Sequence, residues 1–371
     1  MSADYMMVGG FLGAGKTTAL LRLAEHLTKQ GRRVGLITND QSHGLVDTSF
    51  VTAHGYPVQE ITGGCFCCRF NSLTEASNRL MQDAKPDVFL AEPVGSCTDL
   101  RATVQYPLSR LYGNDYRIAP LSVLVDPMRA QRVLDIDPGR TFSPKVLYVY
   151  EKQLEEADFI VINKSDLLAA DEQRALERAL HDRYPQAEIF TVSARTGANL
   201  DPWFSRLAET TIADRRAMDV DYDTYAEGEA LLGWLNATIG IAAPAPVDGN
   251  RFLQRLASGI RGRLAVDGLE IAHLKMTLAP AEGNDIAALN LVRTDGLVEL
   301  SHRLDEALAE GQLILNLRAE GDPNRLHVVV RESLGDASRE MGVEATVEHS
   351  EYFRPGRPTP THRMATIGAE L

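Results

Sequence analysis

The chain has 371 residues, 44% hydrophobic and 24% charged, which suits a folded globular protein of one to three domains. A formal net charge of -13 argues against general nucleic-acid binding, which needs a basic surface to displace counterions from phosphates. No run of about 20 apolar residues offers a membrane span, and the apolar stretch at residues 5–8 lacks the basic start and cleavage site of a secretory leader, so a cytoplasmic location is expected.

The first half alternates short apolar runs with helical periods. Residues 4–8 read as a strand, and residues 17–29 as a helix with Leu20, Leu21, Leu23, Ala24 and Leu27 on its apolar face. Strands are expected at 33–38 and 58–61, then a helix over 73–83. The runs 87–91, 121–126 and 158–163 are continuously apolar, as in strands buried on both faces. A charged amphipathic helix at 171–181 and a strand at 187–192 complete the series. This alternation predicts an α/β, doubly wound domain with a mostly parallel sheet over residues 1–212. Residues 213–249 read as a linker region. A helix at 250–260, strands at 269–278, 286–292, 313–319 and 345–349, and a helix from Asp322-Pro323 to near Gly342 then predict a smaller α+β domain over 250–353. The tail 354–371 is rich in proline and basic residues and is expected to be extended.

Gly10-Phe11-Leu12-Gly13-Ala14-Gly15-Lys16-Thr17 fits the phosphate-loop pattern GxxxxGK[ST], after a strand and at the start of a helix. Such a loop points its backbone N–H groups at phosphate and adds the partial positive charge of a helix N-terminus. Nucleotide contacts are therefore expected from Gly13, Ala14, Gly15, Lys16, Thr17 and Thr18, with Lys16 on the β- and γ-phosphates and the Thr17 hydroxyl on Mg²⁺. Glu92 ends an apolar strand and is the candidate acid for the same Mg²⁺, with Gly95 behind it as an N–H donor to the γ-phosphate. Lys16, Thr17 and Glu92 are the candidate catalytic groups. Asn163-Lys164-Ser165-Asp166 follows a buried strand, where NKxD selects guanine because its carboxylate pairs with two N–H groups that adenine does not offer. Ser193 and Ala194 lie beyond the next helix and strand, where a backbone N–H can meet the guanine oxygen. GTP or GDP is the expected ligand.

Cys65, Cys67 and Cys68 lie within four residues, and Cys97 is the only other cysteine. Three thiolates at that density can supply most of a tetrahedral shell for a soft or borderline ion such as Zn²⁺ or Co²⁺. The candidate fourth ligands are Cys97 and His43, then Asp40 and Asp47. Buried free thiols and a redox pair are the competing readings.

GGFLGAGKTT at 9–18, GGCFCC at 63–68, EPVG at 92–95 and NKSD at 163–166, in this order, resemble the CobW-type GTPases, relatives of the urease and hydrogenase nickel-insertion GTPases. The resemblance covers residues 4–210 well and the remainder in outline. It implies a P-loop GTPase domain and a metallochaperone that carries zinc, cobalt or a similar ion on Cys65, Cys67 and Cys68 and delivers it to a client protein under nucleotide control. The alternative is an assembly factor that gates loading of a cobalamin-type cofactor, with the cysteines as a structural zinc site. Where the family often reads Asn-Glu-Phe-Gly, this chain has Asn39-Asp40-Gln41-Ser42, so the switch-one Mg²⁺ ligand is assigned to Asp40 on acidic character alone. No glutamine stands near Gly95 to orient water, which predicts slow basal hydrolysis raised by a partner or by homodimerisation.

Overall fold

A computed structural model describes residues 2–39, 55–283 and 285–368. The chain divides into two compact units, Met1–Gly228 with Arg357–Leu371, and Glu229–Gly356.

The first unit is built on a parallel sheet. Its strands are β1 (Ala3–Gly10), β2 (Val34–Asn39), β3 (Val58–Ile61), β4 (Val88–Glu92), β5 (Tyr116–Ile118), β6 (Ser122–Val125), β7 (Phe159–Ile162) and β8 (Glu188–Thr191). The order is β3-β2-β4-β1-β6-β7-β8, with β5 also beside β1, and every pairing is parallel. Every residue of β1, β2, β4, β6 and β7 is buried, which is why these runs are continuously apolar and do not alternate. Met6, Val8, Val88 and Leu90 face Leu20, Leu23 and Leu27 of helix Lys16–Lys29, and Trp203, Phe204 and Leu207 of helix Leu200–Glu209. Tyr5 and Phe89 point to the opposite face, with ring centroids 5.9 Å apart. Helices therefore cover both faces, and the loops at the carboxyl ends of β1, β2, β4, β6 and β7 gather along one edge, where doubly wound folds bind ligands.

The second unit carries an antiparallel sheet. It contains β9 (Leu232–Val247), β10 (Glu270–Pro280), β11 (Ala287–Leu291), β12 (Glu299–His302), β13 (Leu308–Glu320) and β14 (Glu344–Phe353), in the order β12-β11-β10-β13-β9-β14. Helices Gly249–Asp267 and Pro323–Met341 pack against it, burying Phe252, Leu256, Ile260, Val329 and Val330 on Leu235, Ile239, Met276, Leu315 and Leu317. The first helix runs past residue 260, the end expected from the sequence, through Gly259 and Gly262 to a left-handed Gly268. Burial of Ile260 and Leu264 outweighs the low helix propensity of the two glycines. In β9, Gly233, Gly240, Pro244 and Pro246 interrupt any clean period, so the longest strand of the fold carries little sequence signal. Among the described residues, no helix is long and apolar enough to cross a membrane.

Candidate nucleotide and metal site

The loop between β1 and helix Lys16–Lys29 is fixed at two points by the NKSD turn. Asn163 donates through Nδ2 to the Ala14 carbonyl at 2.9 Å, and Lys164 donates through Nζ to the Gly13 carbonyl at 2.8 Å. Gly15 sits at φ 87°, and a Cβ there would stand 2.5 Å from Asn163 Nδ2, so glycine is required both by conformation and by this close approach. Asn163 Oδ1 accepts from the Ala194 N–H at 2.9 Å, tying the Ser193-Ala194 turn to the phosphate loop. Asp166 accepts from Ser193 Oγ at 2.6 Å and from Arg195 at 3.1 Å. The NKSD turn, the Ser193-Ala194 turn and the phosphate loop thus form one hydrogen-bonded edge. Lys16 and Thr17 are buried in it, and Thr18 is exposed.

At the end of β4, Glu92 is buried and accepts from Thr17 Oγ1 at 3.1 Å. A hydroxyl and a carboxylate side by side at a helix N-terminus suit a Mg²⁺ ion in character, hard oxygen donors close to a phosphate cradle. Asp40, His43 and Asp47 lie outside the described residues.

Gly95 packs against the phosphate loop: a Cβ there would stand 2.8 Å from Leu12 Cδ2 and 3.0 Å from the Leu12 nitrogen. Helix Pro144–Glu156 holds the segment behind Gly95 from below. Buried Gln153 donates through Nε2 to the carbonyls of Gly95 at 3.0 Å and Cys97 at 2.8 Å. One turn on, Glu156 accepts from the Arg101 N–H at 3.0 Å and the Thr98 hydroxyl at 3.3 Å, and burial pushes its carboxyl up to about 8.

The sulfurs of Cys65, Cys67 and Cys68 converge. Their separations are 2.8 Å (Cys65–Cys67), 3.2 Å (Cys65–Cys68) and 3.8 Å (Cys67–Cys68). Tetrahedral thiolates around an ion at about 2.3 Å lie about 3.8 Å apart, so a modest spreading of Cys65 fits the set to one ion. Hydrogen bonds with Cys67, then Cys68 and Cys97, drive the Cys65 pKa well down. Hydrogen bonding to Cys65 raises Cys67, and the same cause pushes Cys68 up to about 11. Asn39 fixes this loop to the sheet, donating through Nδ2 to the carbonyls of Ile61 at 3.0 Å and Gly64 at 2.8 Å.

The family model described as the CobW/HypB/UreG nucleotide-binding domain matches residues 4–191. The chain belongs to the CobW/HypB/UreG family. Among curated CobW-type relatives, it is 31% identical over 176 residues to the zinc chaperone YeiR of Escherichia coli K12, covering 46% of this chain and 49% of that protein. It is 26% identical over 196 residues to the zinc chaperone CobW of a Sinorhizobium species, covering 48% and 55%. The chain thus spans about half the length of the curated relatives it matches. Among solved structures, HypB from Helicobacter pylori in complex with nickel aligns at 19% identity and a TM-score of 0.42, over 56% of this chain and 86% of that one.

Several residues of this family member that shape the site carry no motif. Asp126 directly follows β6, as Glu92 ends β4, and a carboxylate at the end of a buried parallel strand marks both. Its Oδ2 accepts from Lys164 Nζ at 2.9 Å; burial, the largest influence, would raise its pKa, but the charge and hydrogen bond of Lys164 together with those of Arg129 lower it. Asn39, Gln153, Glu156 and Arg195 have no comparable signal, because a polar residue on a helix or strand acquires meaning only from what the fold sets against it.

Proposed function

We propose that this protein is a GTP-hydrolysing metal carrier, which holds Zn²⁺, Co²⁺ or a similar ion on Cys65, Cys67 and Cys68 and releases it to a client protein under nucleotide control. The observation that carries the reading is the convergence of three sulfurs within 4.8 Å of one another on a loop pinned to β2, in the unit that also carries the complete phosphate loop and NKSD turn. That the relatives YeiR and CobW are zinc chaperones favours zinc as the cargo.

GTP lies with its phosphates in the loop 10–17, contacted by Gly13 through Thr18, and with its base between Asn163, Lys164, Asp166, Ser193 and Ala194. Arg195 leaves Asp166 when guanine arrives. Thr17 and Glu92, with Asp40 of the switch-one segment, would hold Mg²⁺, and the ion would supply neutralisation of phosphate charge. Lys16 adds a fixed positive charge and Gly95 an N–H at the γ-phosphate. The segment 93–99 contains no glutamine or arginine, so water is poorly oriented and hydrolysis by the isolated protein is slow, on the order of 10⁻² to 10⁻⁴ per second.

The test is a competition titration of Zn²⁺ and Co²⁺ into reduced protein with Mg-GDP, and again with a non-hydrolysable GTP analogue, beside a variant with Cys65, Cys67 and Cys68 all changed to Ala. Affinity that differs between the two nucleotide states and is lost in the triple variant is the expected result. Tight binding indifferent to nucleotide would make the cysteines a structural site and overturn the carrier.

A further inference from the structure

The C-terminal segment returns to the cysteine loop. Thr359 donates its backbone N–H to Cys68 Sγ at 3.2 Å, Thr361 donates its N–H to the Cys67 carbonyl at 2.9 Å, and the Thr361 hydroxyl donates to the Cys68 carbonyl at 3.3 Å. His362 sets its ring edge-on to Phe70, two residues beyond Cys68, with centroids 4.9 Å apart. The segment is then anchored. Arg363 Nε donates to Asp99 at 2.7 Å, the Met364 N–H donates to the Ala102 carbonyl at 2.9 Å, and the Met364 side chain is buried with Ala102, Tyr106 and Ala217.

The anchor point is unusual. Asp99 is buried, sits at φ 63°, and receives the Tyr222 hydroxyl at 2.7 Å on the same carboxylate oxygen as Arg363. A non-glycine residue in this left-handed region is strained and persists only where its surroundings hold it. Asp99 also closes the segment that starts at Glu92 and runs through Gly95, against Leu12 of the phosphate loop. Cys67 and Cys65 are only 1% and 6% exposed, so an ion or an accepting ligand can reach them only if something covering them moves.

We propose that residues 357–364 are a strap that closes the cysteine site and positions Cys68, latched by Arg363 on Asp99, and that its release sets the rate at which the site exchanges metal. The gating of metal rests on the carrier reading above; the covering of the thiols does not. Transfer of an ion between proteins proceeds through a state in which donor and acceptor ligands share it, and that state needs an open sulfur face. The latch breaks first because it is an ion pair to a strained residue with one further Arg363 hydrogen bond, to the Met218 carbonyl at 2.9 Å, whereas Met364 is held by burial. Thr359 and Arg363 act through the cysteines and are positioning residues.

The experiment compares wild type with Arg363→Met, which keeps the aliphatic stem, Arg363→Lys, and Thr359→Pro, which removes the N–H donor to Cys68 along with the threonine side chain in a stretch already flanked by Pro358 and Pro360. Two rates are read: alkylation of Cys68 by iodoacetamide in reduced, metal-free protein, followed by mass spectrometry, and Zn²⁺ transfer to a chromophoric chelator. Circular dichroism checks folding. Arg363→Met and Thr359→Pro are expected to raise both rates about tenfold, with Arg363→Lys between them and wild type. Wild-type rates in every folded variant would overturn the strap while leaving the carrier standing. Faster alkylation in a protein that binds no Zn²⁺, wild type included, would keep the cover over the thiols and remove both its metal gating and the carrier. If Arg363→Met does not fold, Thr359→Pro alone decides, since it leaves the latch intact.

Discussion

Lys164 is held from two directions, by the Gly13 carbonyl and by the buried Asp126 carboxylate, and sits at φ 56° to reach both. Its ammonium therefore props the phosphate loop, and Asp126 fixes the prop. Asp126→Asn keeps the acceptor that caps helix Pro127–Val133, where Oδ1 receives the Arg129 N–H at 3.0 Å, and removes the charge and the Oδ2 acceptor that face Lys164. Losing a partly desolvated ion pair of this kind costs about 1–2 kcal/mol, so GDP and GTP should both bind about tenfold more weakly, read by fluorescent-nucleotide titration. An equal effect on both nucleotides is the signature, because Lys164 meets the loop at Gly13 and not at the γ-phosphate. A second residue-scale prediction concerns the thiols. With Cys67 and Cys68 both raised, binding one Zn²⁺ near neutral pH must expel at least two protons. Affinity should then rise at least about 100-fold per pH unit between pH 6 and 8, and calorimetry in buffers of different ionisation enthalpy should count two protons or more.

At the scale of elements, helix Pro144–Glu156 is the support of the Gly95 segment, yet its residues carry little local sign of a helix. Its run Val146 to Tyr150 (VLYVY) is β-branched and aromatic, a strand-like composition, and only its packing through Val146, Val149, Tyr150 and Leu154 makes it helical. The phosphate loop, the NKSD turn and the cysteine cluster were legible because their chemistry demands residue types at short, fixed spacings. Gln153 and Glu156 were not, because their partners lie more than fifty residues away. The proline-rich tail was read as extended, but the 291-residue separation between Thr359 and Cys68 leaves no trace in a local pattern. Glu156 offers a check on this support. Its folded pKa of about 8 lies above the ordinary value near 4.5, so within this window the folded state holds a proton that the unfolded chain has released. Stability is therefore lost as pH rises from about 4.5 to about 8. Glu156→Gln keeps an acceptor for Arg101 and cannot ionise. Its melting temperature should match wild type near pH 5 and exceed it by about 5 °C at pH 8; parallel profiles across this range would show that the carboxyl titrates normally.

For the molecule as a whole, the first unit joins the nucleotide edge to the cysteine loop by two short routes. One runs from Thr17 through Glu92 and Gly95 to Cys97 and Asp99, with Gln153 bracing it. The other runs along β2 to Asn39 and across to Gly64. The first begins at Thr17 and Glu92, the pair proposed above for Mg²⁺, and both end beside sulfur. If these routes have one arrangement with GTP and another with GDP, metal and nucleotide are linked, and linkage is reciprocal. The factor by which Zn²⁺ affinity differs between the GTP-analogue and GDP states must equal the factor by which Zn²⁺ changes the ratio of analogue to GDP affinity. The expected factor is about 5–150, the span of ordinary coupling free energies of 1–3 kcal/mol. Four titrations close the cycle: Zn²⁺ into each nucleotide complex, and each nucleotide into metal-free and Zn²⁺-loaded protein. Gln153→Leu removes both donors of the brace and should shrink the factor toward one, while Zn²⁺ affinity in the GDP state stays near wild type, because the three sulfurs are untouched. A full coupling factor in Gln153→Leu would assign the linkage to the Asn39 route, and a factor of one in wild type would sever nucleotide from metal altogether.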